Sequence, residues 1–251
     1  MNTRRHFLTG AAATTALLSW CSPALASEAP LTFAHRGMPG ALQNTRKGVR
    51  QALKRGYTAI EVDVVLSKDD RLVLSHDPWL HPEYVEGGGR DQLIRDMTWD
   101  AIRERKVSGQ EAMELVELLE MLPPTVTLYL DVKIEKPMTG LTRRGRAYAR
   151  AIFGQWTGQV PLVIEAPSGR IAERYRDERA EGYRTMLSWP RYTATTKGTL
   201  RTIGTKLGEA VCRQDPLAAA RRAGVDGYTA HKIVVGSQDL VNAREAGMDV
   251  A

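Results

Sequence analysis

The sequence predicts an α/β protein built as a TIM-type (β/α)8 barrel. Short apolar β-type runs alternate with helix-type runs, the order that makes a parallel sheet with crossover helices. No composition break or linker divides the runs, and 251 residues suit one large domain. No glycine-rich dinucleotide fingerprint follows the first strand, which argues against a doubly wound sheet.

The first strand is expected over Leu31–His35, followed by a glycine-containing loop. Thr45–Arg55 reads as a helix capped by Gly56. Ala59–Leu66 and Arg71–His76 read as strands of a hairpin about the turn Ser67–Asp70. The stretch Asp77–Arg95 holds Pro78, Pro82 and Gly87–Gly89, and an irregular segment this long inside a domain is usually functional. It opens a small insertion, about 77–110. Helices are expected over Trp99–Lys106 and Glu111–Leu122, the latter stopped by Pro123-Pro124. Strands at Thr127–Ile134, Val160–Glu165, Arg184–Ser188 and Val225–Ala230 follow, with helices at Thr142–Gln155, Ser168–Glu181, Asp215–Ala223 and Ser237–Ala246. Met248–Val250 begins a seventh principal strand, so the barrel is expected to lack its last strand and helix.

Ahead of the barrel, Thr3-Arg4-Arg5-His6-Phe7-Leu8 resembles a twin-arginine export signal. An uncharged stretch follows from Gly10 and ends at Ala24-Leu25-Ala26, a small-x-small cleavage site. Residues 1–26 are therefore expected to be a signal peptide, residues 27–251 the mature domain, and the destination periplasmic or secreted. The apolar stretch is too mild for a membrane span, and no stable anchor is expected. The formal net charge of +6 falls by two when Arg4 and Arg5 leave. No Lys/Arg run threaded with aromatics occurs, so nucleic acid is not an expected partner. Cys212 is the one cysteine after residue 26, which excludes an intrachain disulfide in the mature domain.

The chemistry is signalled by polar residues where a buried strand should be apolar. Side chains alternate along a strand, so Ile60, Val62 and Val64 share one face and Glu61 and Asp63 the other. Asp131 and Lys133 repeat the device on the next principal strand. Like charges in a buried mouth are costly unless something positive lies between them. Glu61, Asp63 and Asp131 are expected to hold one divalent cation, and an oxygen-only set favours Mg²⁺ or Ca²⁺ over Zn²⁺. His35 and His76 end their strands, and two imidazoles flanking a phosphate would serve as an acid–base pair. Arg36 and Lys133 would neutralise phosphate oxygens. His81 and His231 read as structural.

These residues fall in an ordered series: His35-Arg36-Gly37, Asn44-Thr45, Glu61-Val62-Asp63, Lys68 through His76-Asp77, and Leu130-Asp131-Val132-Lys133. The series resembles the glycerophosphodiester phosphodiesterase family. The resemblance is strong over Phe33–Lys133 and weak beyond. It implies a barrel with a small insertion after His76-Asp77, and one divalent cation on Glu61, Asp63 and Asp131. It implies His35 as general base, His76 as general acid, and Arg36 and Lys133 on phosphate. The implied reaction releases glycerol 3-phosphate and an alcohol from a small glycerophosphodiester. Lysophospholipids or other lipid phosphodiesters are an alternative substrate class, and a catalytically silent phosphodiester-binding barrel is an alternative role. Gln43 stands where the family usually has Glu, keeping a hydrogen bond but not a charge. Asp131 stands where Glu is commoner and is one methylene shorter.

Overall fold

Strand β1 (Ala59–Leu66) is buried at every position but its last, as expected of a strand covered on both faces. The computed structural model describes residues 33–134, 141–189, 216–230 and 242–250, apart from positions 39, 84, 86, 108 and 244. On β1 the sheet grows in one direction through β5 (Thr127–Val132), β6 (Leu162–Ala166), β7 (Arg184–Trp189), β8 (Gly227–Ala230) and β9 (Asp249–Val250), all pairing in parallel. On the other side Ala34 makes a parallel bridge to Ile60, with Glu61 N donating to Ala34 O at 3.1 Å. Among the described residues, seven parallel segments with intervening helices form the sheet of a TIM-type barrel.

Helix α1 (Arg46–Lys54) follows the Ala34 segment. Thr45 caps it from an extended conformation, its hydroxyl accepting from Gly48 N at 3.1 Å. The chain leaves α1 through Gly56 at φ +79°, a conformation open to glycine at little cost. Later crossovers run through α3 (Leu115–Met121), α4 (Leu141–Gln155), α5 (Gly169–Glu178) and α6 (Pro216–Ala223). The main core packs β-strand residues such as Val62, Leu128, Leu130 and Ile164 against helix residues such as Val49, Leu118, Ile152 and Ile171.

The hairpin exists but is shorter than expected, because β2 (Leu72–Leu74) pairs antiparallel with only Val64–Leu66 of β1. The insertion beyond it has a second small core of Val65, Val73, Leu80, Val85, Ile94, Trp99, Ile102 and Ala112. The expected helix over Trp99–Lys106 stops early. Helix α2 spans Trp99–Arg103, and Lys106 already belongs to β3 (Lys106–Val107). The helix expected over Glu111–Leu122 is confined to α3. Glu111 pairs in the small hairpin of β3 with β4 (Gln110–Glu111). Glu114 stays extended, bridging Val73 and accepting two bonds from the Arg71 guanidinium at 2.8 and 2.7 Å. A residue held in that way cannot enter a helix, so the helix starts after it. The expected signal segment, Cys212, His231 and most of Ser237–Ala246 lie outside the described residues.

Candidate active site

Glu61 and Asp63 reach the barrel mouth from β1, and Asp131 from β5. The register places Asp63 directly opposite Asp131. Ligand-type oxygens of Glu61, Asp63 and Asp131 lie within 4.8 Å of one another. Burial, followed by the charge of Asp63, pushes the Glu61 carboxyl well above its ordinary value. Burial also acts on Asp63, but Lys133, His76 and the hydrogen bonds from Lys133 and Asn44 outweigh it and hold that carboxyl low. A hard dication fits this donor set, since oxygen ligands at this spacing suit one ion and positive charge there would relieve Glu61.

The two cationic side chains do not reach past the acids. Lys133 Nζ lies 2.8 Å from Asp63 Oδ1 and also contacts Asp131 Oδ2. Arg36 Nε lies 3.2 Å from Asp63 Oδ2, and its Nη1 donates to Gln43 Oε1 at 2.6 Å. The amide at position 43 thus keeps the hydrogen bond that a glutamate would have made. Arg36 also uses its backbone: its N–H donates to Glu61 Oε2 at 2.7 Å.

That backbone contact depends on an unusual turn. Arg36 has φ +54°, and Gly37 follows at φ +74°. Two consecutive left-handed residues bend the chain away from the sheet right after Ala34, so His35 sits in the turn and not at the end of a strand. A non-glycine residue in that region is uncommon and is tolerated where the surroundings fix it. Gly37 N donates to Glu61 O at 3.0 Å and Asn44 N to Arg36 O at 2.8 Å, which fixes both ends of the loop. His35 Nε2 lies 3.8 Å from Glu61 Oε2. Burial, then the Arg36 charge, lowers the His35 pKa from its ordinary value of 6.5.

His76 lies two residues past β2, where Ser75 N still donates to Asp63 O at 3.1 Å. Its Nδ1 is 3.2 Å from Asp77 Oδ1. Burial would raise the Asp77 carboxyl, but the hydrogen bond and charge of His76 and the charge of His81 hold it low. An ionised carboxylate only accepts, so His76 donates to Asp77 from Nδ1, and Nε2 is left outside this contact. His81 Nδ1 accepts from Glu83 N at 3.2 Å, and its Nε2 stands 3.8 Å from Asp77 Oδ2.

All seven site residues expected from sequence thus lie around one mouth. The structure adds two that sequence reading assigned no role. Asn44, at φ +53°, grips Asp63. Glu165 on β6 stands in register opposite Asp131. The signal for Glu165 was present, an acid in an apolar strand, but a single carboxylate at a strand end is usually a satisfied rim residue.

A parallel barrel that gathers carboxylates, imidazoles and paired cations at the carboxyl ends of its strands belongs to the class of TIM-barrel proteins with their site at that face. Within that class, the chain belongs to the Glycerophosphoryl diester phosphodiesterase family, whose model matches residues 35–234. A protein of Mycobacterium tuberculosis named "Probable glycerophosphodiester phosphodiesterase 2" is 28% identical over 133 residues, covering 51% of this chain and 48% of that protein. The glycerophosphodiester phosphodiesterase of Bacillus altitudinis is 30% identical over 112 residues, covering 41% and 44%. The chain thus spans about half the length of these relatives. An Oleispira antarctica phosphodiesterase, solved in complex with the product sn-glycerol-3-phosphate, superposes with TM-score 0.64 at 19% identity, covering 88% of this chain and 83% of that one.

Proposed function

We propose that this protein hydrolyses glycerophosphodiesters to glycerol 3-phosphate and an alcohol, using one Mg²⁺ or Ca²⁺ and two histidines. The observation that carries this reading is the convergence of Glu61, Asp63 and Asp131 within 4.8 Å, beside His35 and His76. The three acids would hold the cation, which when bound supplies Lewis-acid polarisation of a phosphoryl oxygen and a template for the diester. His35, with its lowered pKa, is neutral near pH 7 and takes the proton of the attacking hydroxyl, from water or from the substrate's own glycerol. His76, oriented by Asp77, returns a proton from Nε2 to the leaving oxygen. Arg36 and Lys133, now paired with the acids, turn to the phosphoryl oxygens when other positive charge neutralises those acids.

The mature domain begins at residue 27 and is exported through the twin-arginine route to the periplasm or beyond. The N-terminal pattern supports that reading, and fusion of residues 1–26 to a reporter tests it. The substrate is a small molecule.

The deciding experiment incubates the protein with glycerophosphocholine and Mg²⁺ or Ca²⁺ and measures glycerol 3-phosphate. Release that stops with EDTA supports the proposal. Release that is insensitive both to EDTA and to His35→Ala sinks it.

A further inference from the structure

We propose that Glu165 is a specificity-determining residue of this same site, accepting hydroxyl groups of the glycerol arm that stays on the phosphate. The inference rests on the glycerophosphodiesterase reading above and extends it to a residue with no part in the cation or proton chemistry.

Register places Glu165 on the barrel-mouth face. It is the β6 partner of Asp131, which is itself the β5 partner of Asp63. The row of acids therefore continues one strand past the proposed cation ligands. His35 and His76 lie on the opposite flank, where Ala34 and β2 meet β1. A phosphodiester centred on Asp63 and Asp131 extends one arm toward that flank and the other over β6–β8. When His35 activates water and His76 protonates the leaving alcohol, the retained glycerol lies over β6–β8.

The local chemistry there suits a polyol. The Glu165 carboxylate accepts from the Thr229 hydroxyl on β8, with Ser188 on β7 as a second donor. Ser188 and Thr229 are themselves register partners, so the three groups form one polar ledge across three strands. A carboxylate has about four acceptor positions, and two hydroxyls leave the others for a ligand. Lys133 pairs with Asp63 and Asp131, and its charge only partly offsets the effects that raise Glu165. Burial and the charge of Asp131 push Glu165 up to about 7. A hydroxyl both donates and accepts, and so matches this carboxyl with or without its proton, whereas a quaternary ammonium needs it ionised.

The test is calorimetric and uses the full chain with Ca²⁺ present. Affinities for glycerol 3-phosphate, ethyl phosphate and phosphocholine are compared in wild type, Glu165→Gln, Glu165→Leu and Thr229→Val. Ethyl phosphate carries the phosphate without the diol, and phosphocholine replaces the diol by a cation. The preference for glycerol 3-phosphate over ethyl phosphate is expected to fall about tenfold in Glu165→Leu, and less in Glu165→Gln and Thr229→Val. Should Glu165→Leu not fold, the smaller fall expected in the two milder variants decides. Equal weakening of both ligands, an unchanged preference, or selective weakening of phosphocholine overturns the proposal. Wild-type turnover of glycerophosphocholine is followed in parallel. Its absence removes the hydrolase reading, while the binding preference still decides the role of Glu165.

Discussion

Asn44 holds Asp63 by both ends. Its amide donates to Asp63 Oδ2 at 2.9 Å, and its carbonyl accepts from Asp63 N at 3.1 Å. Asp63 is 1% exposed, so both bonds replace water that is not there. Asn44→Ala should cost about 1–3 kcal/mol, the range for leaving buried polar groups unsatisfied. Asn44→Asp should cost more, because it sets a like charge against a buried carboxylate. Denaturant midpoints at neutral pH check the order, and an Asn44→Asp protein as stable as wild type would contradict it.

The proposed duties of the two imidazoles are separable by mutation. His35→Ala and His76→Ala should each lower kcat by about 10²–10⁴, the usual share of general acid–base catalysis. Asp77→Ala should lower kcat less than His76→Ala does, since it frees the tautomer and orientation of a ring that is still present. Rates at saturating glycerophosphocholine measure this. Asp77→Ala slower than His76→Ala would mean that Asp77 does more than orient.

Cation binding should be visible without turnover. Mg²⁺ or Ca²⁺ at about a hundred times its dissociation constant adds about 2.7 kcal/mol to a folded state that alone binds it. The melting temperature of wild type should therefore rise with the ion, and that of Asp131→Asn much less. Equal rises in both proteins would place the ion elsewhere.

Asp69 offers a pH test remote from the site. Its carboxylate accepts from Trp99 N at 2.9 Å and from Ser67 Oγ at 2.7 Å, tying the hairpin turn to the start of α2. Burial opposes ionisation, but these bonds together outweigh it and lower its pKa from 3.8. A depressed carboxyl contributes stability that is present above its unfolded value and lost as pH falls through its folded one. Asp69→Ala should cost about 1 kcal/mol at neutral pH, typical of a lost helix cap. The gap to wild type should close below pH 3.8. Stability curves against pH measure it, and a gap that persists under acid would assign the loss to packing.

Much of this was readable in the sequence because it follows from alternation. The two-residue spacing of Glu61 with Asp63 and of Asp131 with Lys133 puts each pair on one face, and parallel pairing brings the faces together. The turn at His35 was not readable, because it rests on Arg36 adopting a left-handed conformation that glycine takes far more readily. The start of α3 was not readable either. Glu114 looks helical among its neighbours, and its distant partners Val73 and Arg71 keep it extended. Glu165 and Asn44 needed the register and the loop path, both set by contacts far apart in sequence.

Lys133 follows Asp131 by two positions and contacts both Asp131 and Asp63. The strand that delivers the third acid therefore carries its own counter-charge on the same face. When β5 docks on β1, as much positive as negative charge arrives, and the approach meets no net electrostatic barrier from this pair. Chain collapse need not wait for an ion, so the proposed cation can load after folding, from whichever hard dication the surroundings provide.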